Sequence, residues 1–381
     1  MLNLSTKNTV PPKTFKQYET KLKKAKQSLL RKRFAEFLTL PTQNTAQIIK
    51  EATLIKKSFT DIVVIGMGGS ILGAQMLFHT MQRNNSTLPR IHFIDNIDPD
   101  LIASFEKPLN NKKTLFIFVS KSGNTLETTI LFDLIKKGSK HLAVITENKD
   151  GLLYKQAQKN NLALFEVPKY VAGRYSVLTA TGLLPAALMD LKITRLLNGA
   201  AKAQIPETAE RLAILIHYMY SKKKQTLALF PYIDCFEFFN KWAIQLIAES
   251  LGKTSRVGPL PIGLIGAKDQ HSMLQLLLDG PKDKWVLFFT LKNREKDYIA
   301  NGLKYSEILE AQKKGTAKAL STKKVPNATI TLDRLDEENL GELIMTFCLA
   351  VALAGEMFKV NPFSQPAVEL GKKFTRSILN K

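Results

Sequence analysis

Two stretches decide the reading of this chain. Residues 61–70 run Asp61-Ile62-Val63-Val64-Ile65-Gly66-Met67-Gly68-Gly69-Ser70. Residues 114–125 run Thr114-Leu115-Phe116-Ile117-Phe118-Val119-Ser120-Lys121-Ser122-Gly123-Asn124-Thr125. Each is a short apolar run that breaks into a turn of small residues and then a helical pattern. An apolar run without alternation marks a strand buried on both faces, the habit of parallel sheets. Ile91-His92-Phe93-Ile94-Asp95, His141 to Thr146 and Ala163 to Val167 repeat the pattern, and amphipathic segments such as Leu126 to Lys137 separate the runs. Strands alternating with helices predict a doubly wound α/β sheet.

Working outward, a second and looser set of strands follows: Thr226 to Pro231, Pro261 to Gly266, Trp285 to Leu291 and Ala328 to Asp333. The chain of 381 residues is long enough for roughly two or three domains. The expectation is α/β throughout: two doubly wound parallel-sheet domains over residues 51–200 and 201–360, divided between Leu183 and Pro206. A basic helical extension over residues 1–50 precedes them, helical after Pro11-Pro12, and a helix over residues 361–381 ends the chain. Hydrophobic residues at 45% and charged residues at 23% are those of an ordinary globular protein. The longest apolar stretch, Phe347 to Gly355, is about half of the roughly 20 residues a membrane span needs. The amino terminus has no apolar core of the secretory type. Cys235 and Cys348 make neither a disulfide framework nor zinc spacing, which reads as a reducing compartment, the cytoplasm.

The net charge of +22 favours anionic partners. Lys and Arg are spread along nearly the whole chain, and runs such as Lys23 to Arg33 lack the interleaved aromatics of a stacking platform. They read as solvated basic surface rather than as a nucleic-acid site. The anion sites are sought instead in the two turns. Gly66-Met67-Gly68-Gly69-Ser70 brings backbone N–H groups toward an anion at a helix start. A dinucleotide fingerprint fails because its third glycine position holds Ile71, although Asp95 could mimic a ribose-binding acid. Ser120, Ser122 and Thr125 supply three hydroxyls in one turn and Lys121 a charge, which suits a phosphate monoester; the plainer alternative is a helix cap. Both turns follow strands of one sheet, where ligands of such sheets gather.

The stretches Gly66 to Gly73 and Ser120 to Thr129 resemble the sugar-isomerase (SIS) fold of phosphosugar-binding proteins. Further motifs narrow the resemblance to the glucose-6-phosphate isomerase family: Asn96-Ile97-Asp98-Pro99; Val171-Ala172-Gly173-Arg174-Tyr175-Ser176; Ala248 to Lys253; Asp269-Gln270-His271-Ser272; and Gln365 with Val368-Glu369-Leu370-Gly371-Lys372. They stand in the family's order over roughly residues 60 to 375. The resemblance implies an aldose–ketose isomerase of glycolysis and gluconeogenesis. It would interconvert glucose 6-phosphate and fructose 6-phosphate through a cis-enediol.

Residue by residue, the resemblance makes Glu249 the base that moves a proton between C1 and C2, with Gln245 and Gln365 contacting substrate. The helix around Glu249 is apolar on nearly every side, so it should be buried. Gln245 and Glu249 are four apart and share a face. A carboxylate in apolar surroundings would have its pKa raised, as a base near neutrality requires. The plainer alternative is a partly exposed glutamate near a helix end. Arg174 would offset the charge of the enediolate without losing its own. His271, expected to open the helix that runs to Gly280, and Lys372 would assist ring opening. In this family the histidine comes from the neighbouring subunit, which implies a homodimer. Gly69, Ser70, Ser120, Lys121, Ser122 and Thr125 would hold the phosphate. Proton abstraction beside a carbonyl needs no cofactor, and the five dispersed histidines form no metal-ligand pair. Ser364, Ala367, Ala172 and Asn124 depart from the family's common residues. Two other readings remain at this point: an isomerase that also accepts mannose 6-phosphate, and a phosphosugar sensor of the same fold, which would have no need of a base.

Overall fold

The computed structural model describes residues 2–6, 9–10, 12–81, 87–106, 113–203 and 207–379. Its strands are β1 (Asn3–Ser5), β2 (Asp61–Gly66), β3 (Arg90–Ile94), β4 (Thr114–Val119), β5 (Leu142–Thr146), β6 (Ala163–Glu166), β7 (Thr226–Pro231), β8 (Leu260–Gly263), β9 (Lys284–Leu291), β10 (Ile299–Ala300), β11 (Leu303–Lys304) and β12 (Asn327–Leu332). The helices are α1 (Pro12–Leu30), α2 (Ala46–Ser58), α3 (Leu72–Thr80), α4 (Pro99–Glu106), α5 (Leu126–Ile135), α6 (Leu152–Lys159), α7 (Ala180–Leu188), α8 (Ile193–Lys202), α9 (Glu207–Ser221), α10 (Glu237–Leu251), α11 (Leu274–Asp279), α12 (Tyr305–Thr322), α13 (Glu337–Phe358) and α14 (Val368–Leu379).

The first sheet has the order β3-β2-β4-β5-β6 and every pairing is parallel. The apolar runs of the inner strands β2, β4 and β5 are buried on both faces, whereas the edge strands β3 and β6 are only partly covered. In β2, Ile62 and Val64 join the large central core, while Val63 and Ile65 join a second cluster with Phe118, Leu131 and Phe132. Period-two geometry divides one unbroken apolar run between two cores. The second sheet has the order β1-β12-β9-β7-β8. Four of its strands are parallel, but β1 lies antiparallel on the edge, Leu4 opposite Ile330. The leading segment is therefore not wholly helical: Asn3–Ser5 close the far sheet before α1 begins. Its short apolar content, Leu4 alone, has no periodicity that could have shown this.

The central core lies between the sheets and contains α10 and α13, with the inner faces of both sheets. The stretch Phe347 to Gly355 understated its element: it lies within helix α13, which by length and composition is long and apolar enough to cross a membrane and is instead almost wholly buried inside the protein. It packs against α1, α8, α9 and α10.

In the first sheet the chain leaves β2 toward β3 on one side and continues with β4 on the other. The crevice at the carboxyl ends of β2 and β4 is thus the switch point of the sheet, where ligands of such folds bind. Gly66 pairs with Val119 there, which sets the Gly66–Ser70 turn beside the Ser120–Thr125 turn. Helix α10 packs against α3 and reaches the same place from the other half of the chain.

Candidate active site

The site is assembled from three turns, the end of α10 and the segment before α14. The turn Gly68–Ser70 packs on the turn Gly173–Leu178. A Cβ on Gly69 would stand 2.5 Å from the carbonyl carbon of Gly173, so only glycine permits this approach. The contact brings Arg174 beside the first glycine loop. Trp242 of α10 donates its indole N–H to the Arg174 carbonyl at 3.3 Å, fixing the turn against the helix.

Arg174 is 2% exposed, and its guanidinium is enclosed by oxygen. Nε donates to Ser250 Oγ at 2.8 Å, Nη1 to Glu249 Oε2 at 3.2 Å, and Nη2 to the Ser364 carbonyl at 3.1 Å. Nη1 also donates to Gln365 Oε1, and Nη2 to the Pro362 carbonyl. Burial lowers its pKa from the ordinary value, opposed by Tyr175 and Glu249. An arginine keeps its proton nonetheless. The Tyr175 hydroxyl shares Ser250 Oγ at 3.1 Å, and burial pushes this phenol well up.

Glu249 lies on the last turn of α10, its side chain 29% exposed. The apolar surroundings expected for it are not what the carboxylate meets. One oxygen faces Arg174, and the other accepts from Gln245 Nε2 at 2.9 Å. The apolar neighbours Trp242, Leu246 and Ile247 are buried as expected, but they point to the core. The four-residue spacing does put Gln245 and Glu249 on one face. Gln245 Oε1 is buried without a hydrogen-bond partner.

In the second loop Ser120 is fully buried, and its Oγ lies 2.9 Å from Thr125 Oγ1 and 3.5 Å from Ser122 Oγ. The three hydroxyls thus form one cluster at the start of α5. Gly123 has φ +67°, which closes the turn. Asn124 ties this loop to α6, its Oδ1 accepting from the N–H of Leu152, the first residue of that helix, at 2.9 Å. Lys121 does not join the hydroxyls. Its ammonium donates to the Lys169 carbonyl at 2.8 Å, and burial lowers its pKa. Asp95 is engaged by Gln75 Nε2 at 3.0 Å.

A family model for phosphoglucose isomerase matches residues 47–381. The chain belongs to the phosphoglucose isomerase family. Glucose-6-phosphate isomerase of Methanocaldococcus jannaschii is 37% identical over 337 residues, 83% of each chain. Among solved structures, a hypothetical protein from Thermus thermophilus covers all of both chains with a TM-score of 0.91 at 29% identity. A glucose-6-phosphate isomerase from Chlamydia trachomatis matches 88% of this chain and 72% of its own with a TM-score of 0.78 at 25% identity.

Within this phosphoglucose isomerase fold, Arg174 joins Glu249 to Gln365, and Glu249 in turn holds Gln245. His271 and Lys372 make no bond to that cluster. His271 follows β8 in a tight turn, and α11 starts three residues later, at Leu274, rather than at the histidine. Asp269 braces this turn, its carboxylate accepting from the N–H of Ile265 at 2.7 Å and from the Ser272 hydroxyl at 2.7 Å. Gln270 is tied to Tyr232 Oη at 2.8 Å and to Thr316 Oγ1. The turn is therefore rigid, and it leaves His271 exposed. Lys372 sits on α14, which buries no residue, and pairs with Glu369 at 2.7 Å.

The sequence reading missed Ser250, the carbonyls of Pro362 and Ser364, and Lys253. Lys253 donates to the carbonyls of Glu249 and Ser364. Its i,i+4 spacing from Glu249 is a signal open to the sequence, although such spacing points to a side-chain pair rather than to a bond with backbone.

Proposed function

We propose that this chain interconverts glucose 6-phosphate and fructose 6-phosphate, a step shared by glycolysis and gluconeogenesis, by moving a proton between C2 and C1. The observation that carries the reading is the Glu249–Arg174 couple at the mouth of the switch-point crevice. A carboxylate with partial solvent access stands beside a buried, permanent cation. The phosphate docks on Ser120, Ser122, Thr125 and the Gly69–Ser70 turn, and its binding energy orients carbons remote from it. Glu249 takes the C2 proton, and the cis-enediol forms beside Arg174, whose charge offsets the developing oxyanion. Glu249 then returns the proton to C1. Gln245 and Gln365 contact the sugar.

Ring opening falls to His271 and Lys372. The exposed, rigidly held His271 serves the site of a second copy, so the working unit is a homodimer. Lys372 comes to the ring oxygen from α14. A sensor of the same fold would have no use for the base. Cys235 and Cys348 are free thiols, which fits the reducing interior of a cell. The test is a coupled assay that follows glucose 6-phosphate formed from fructose 6-phosphate, run beside mannose 6-phosphate. Absence of turnover with a folded protein would leave the sensor reading in its place.

A further inference from the structure

We propose that Lys253 is a positioning residue for this reaction: it anchors the segment that carries Gln365 and Lys372 to the end of helix α10 that carries Glu249. The inference rests on the isomerase reading for its catalytic consequence, and on geometry alone for the anchoring.

Helix α10 ends at Leu251, so the carbonyl of Glu249 lies among the last four, which a helix leaves without an intrahelical N–H. The Lys253 backbone N–H turns back to Leu251 at 2.9 Å instead. The Lys253 ammonium takes the Glu249 carbonyl, as basic side chains do at helix ends. The same ammonium takes the carbonyl of Ser364. That oxygen also accepts from Arg174 Nη2 at 3.1 Å, so two cations share one carbonyl.

The position of that carbonyl gives the arrangement its consequence. Pro362 and Phe363 are buried, and Phe363 packs against Phe34, Phe37 and Tyr175. Ser364 is half-buried, and every residue from 365 to 379 is exposed. Ser364 is thus the last point at which the body of the protein grips the chain before Gln365 and α14. Without Lys253, the polar grip on the Ser364 carbonyl, one residue before Gln365, rests on Arg174 alone. Reacting groups need placement within fractions of an ångström for full effect.

The charged groups facing Lys253 are Arg174, from the turn before α7, and Glu249 on α10. Burial first, and then Arg174, lower the Lys253 pKa to about 8, with Glu249 opposing. The charged form is therefore present below that pH and lost above it. A neutral amine makes weaker bonds to the two carbonyls, so the grip on Ser364 loosens as pH rises through about 8.

The test compares native protein with Lys253→Met and Lys253→Arg. Turnover of fructose 6-phosphate is followed from pH 6.5 to 10, and hydrogen exchange of the segment 360–370 is followed in parallel. At pH 7, Lys253→Met is expected to lower kcat about ten- to hundredfold, the size of a lost charge-assisted hydrogen bond. KM should change by less than about threefold, because the phosphate loops belong to other elements. Lys253→Arg should restore most of kcat and move its alkaline fall upward by more than about one pH unit, since a guanidinium keeps its proton. Segment 360–370 should exchange faster in Lys253→Met, and in native protein above pH 8 after correction for intrinsic rates. Native kcat in Lys253→Met, or an unmoved alkaline fall in Lys253→Arg, would overturn the proposal. Lys253→Arg decides it alone if Lys253→Met does not fold. If native protein shows no turnover, the isomerase reading falls, while exchange of segment 360–370 still decides the anchoring.

Discussion

Replacement of Glu249 by Gln separates chemistry from structure at this site, and the geometry gives both magnitudes. Glu249 accepts from Arg174 and from Gln245. A glutamine at 249 can still accept from Arg174. Its amide N–H can serve Gln245 if that residue turns its unpartnered Oε1 around, a rotation that conserves shape. The hydrogen bonds survive and only the charge is lost. Arg174 keeps four other oxygen acceptors, and the carboxylate is 29% exposed. The cost in stability is then on the order of 1–2 kcal/mol, above a surface pair but below a stripped buried one. A general base contributes about 10²- to 10⁴-fold, or about 2.7–5.4 kcal/mol of barrier. The kinetic loss thus exceeds the structural one. The assay is turnover of fructose 6-phosphate well below the unfolding temperature, with urea denaturation of the same sample. Native enzyme in deuterium oxide should also place deuterium on the transferred carbon, because a carboxylic acid exchanges its proton while the enediol waits. Near-native turnover in Glu249→Gln would refute the assignment of the base, whatever became of the fold.

Arg174→Lys keeps the charge but has three donors for five acceptors, so at least two acceptors lose this bond; Ser250, Ser364 and Glu249 each keep another donor and Gln365 is exposed, which leaves the Pro362 carbonyl as the buried acceptor at risk. Stability should fall by about 1–3 kcal/mol. A urea midpoint unchanged from native would contradict this account of the guanidinium. Mixing Glu249→Gln and His271→Ala chains under subunit exchange should restore activity that neither has alone, whereas fully active monomers at high dilution would rule out a shared site. His217 lies against Tyr18 and Phe358 with its Nε2 2.6 Å from Lys21 Nζ, and burial, with Lys21 beside it, lowers its pKa to about 4. The unfolded chain binds this proton near pH 6.5 and the folded chain only near 4, so stability is full above 6.5 and falls as pH drops through that window. Thermal unfolding across pH 4 to 7 should show the slope, and His217→Gln should flatten it.

The two sheets and the placement of their loops were legible in local sequence, because the inner parallel strands, covered on both faces, run almost unbroken in apolar residues. Periodicity is a local property, written in neighbouring residues. The hydroxyl cluster at Ser120 and the Gln245–Glu249 pair were legible for the same reason: one turn, or one helical repeat, brings their members together. The surroundings of Glu249 were not. A helix apolar on nearly every side suggested an apolar pocket, but the carboxylate leaves the helix toward Arg174, 75 residues earlier in the chain. Arg174 in turn reaches Gln365 across 191 residues. Two of its acceptors, and both of those taken by Lys253, are backbone carbonyls, which every residue has and no side chain announces. Likewise β1 finds its place on the edge of a sheet whose neighbouring strand lies more than 300 residues away, through bonds that any short extended segment could make. Only packing of the whole chain selects among such partners, because their free energy comes from burial that exists only once the two halves have met.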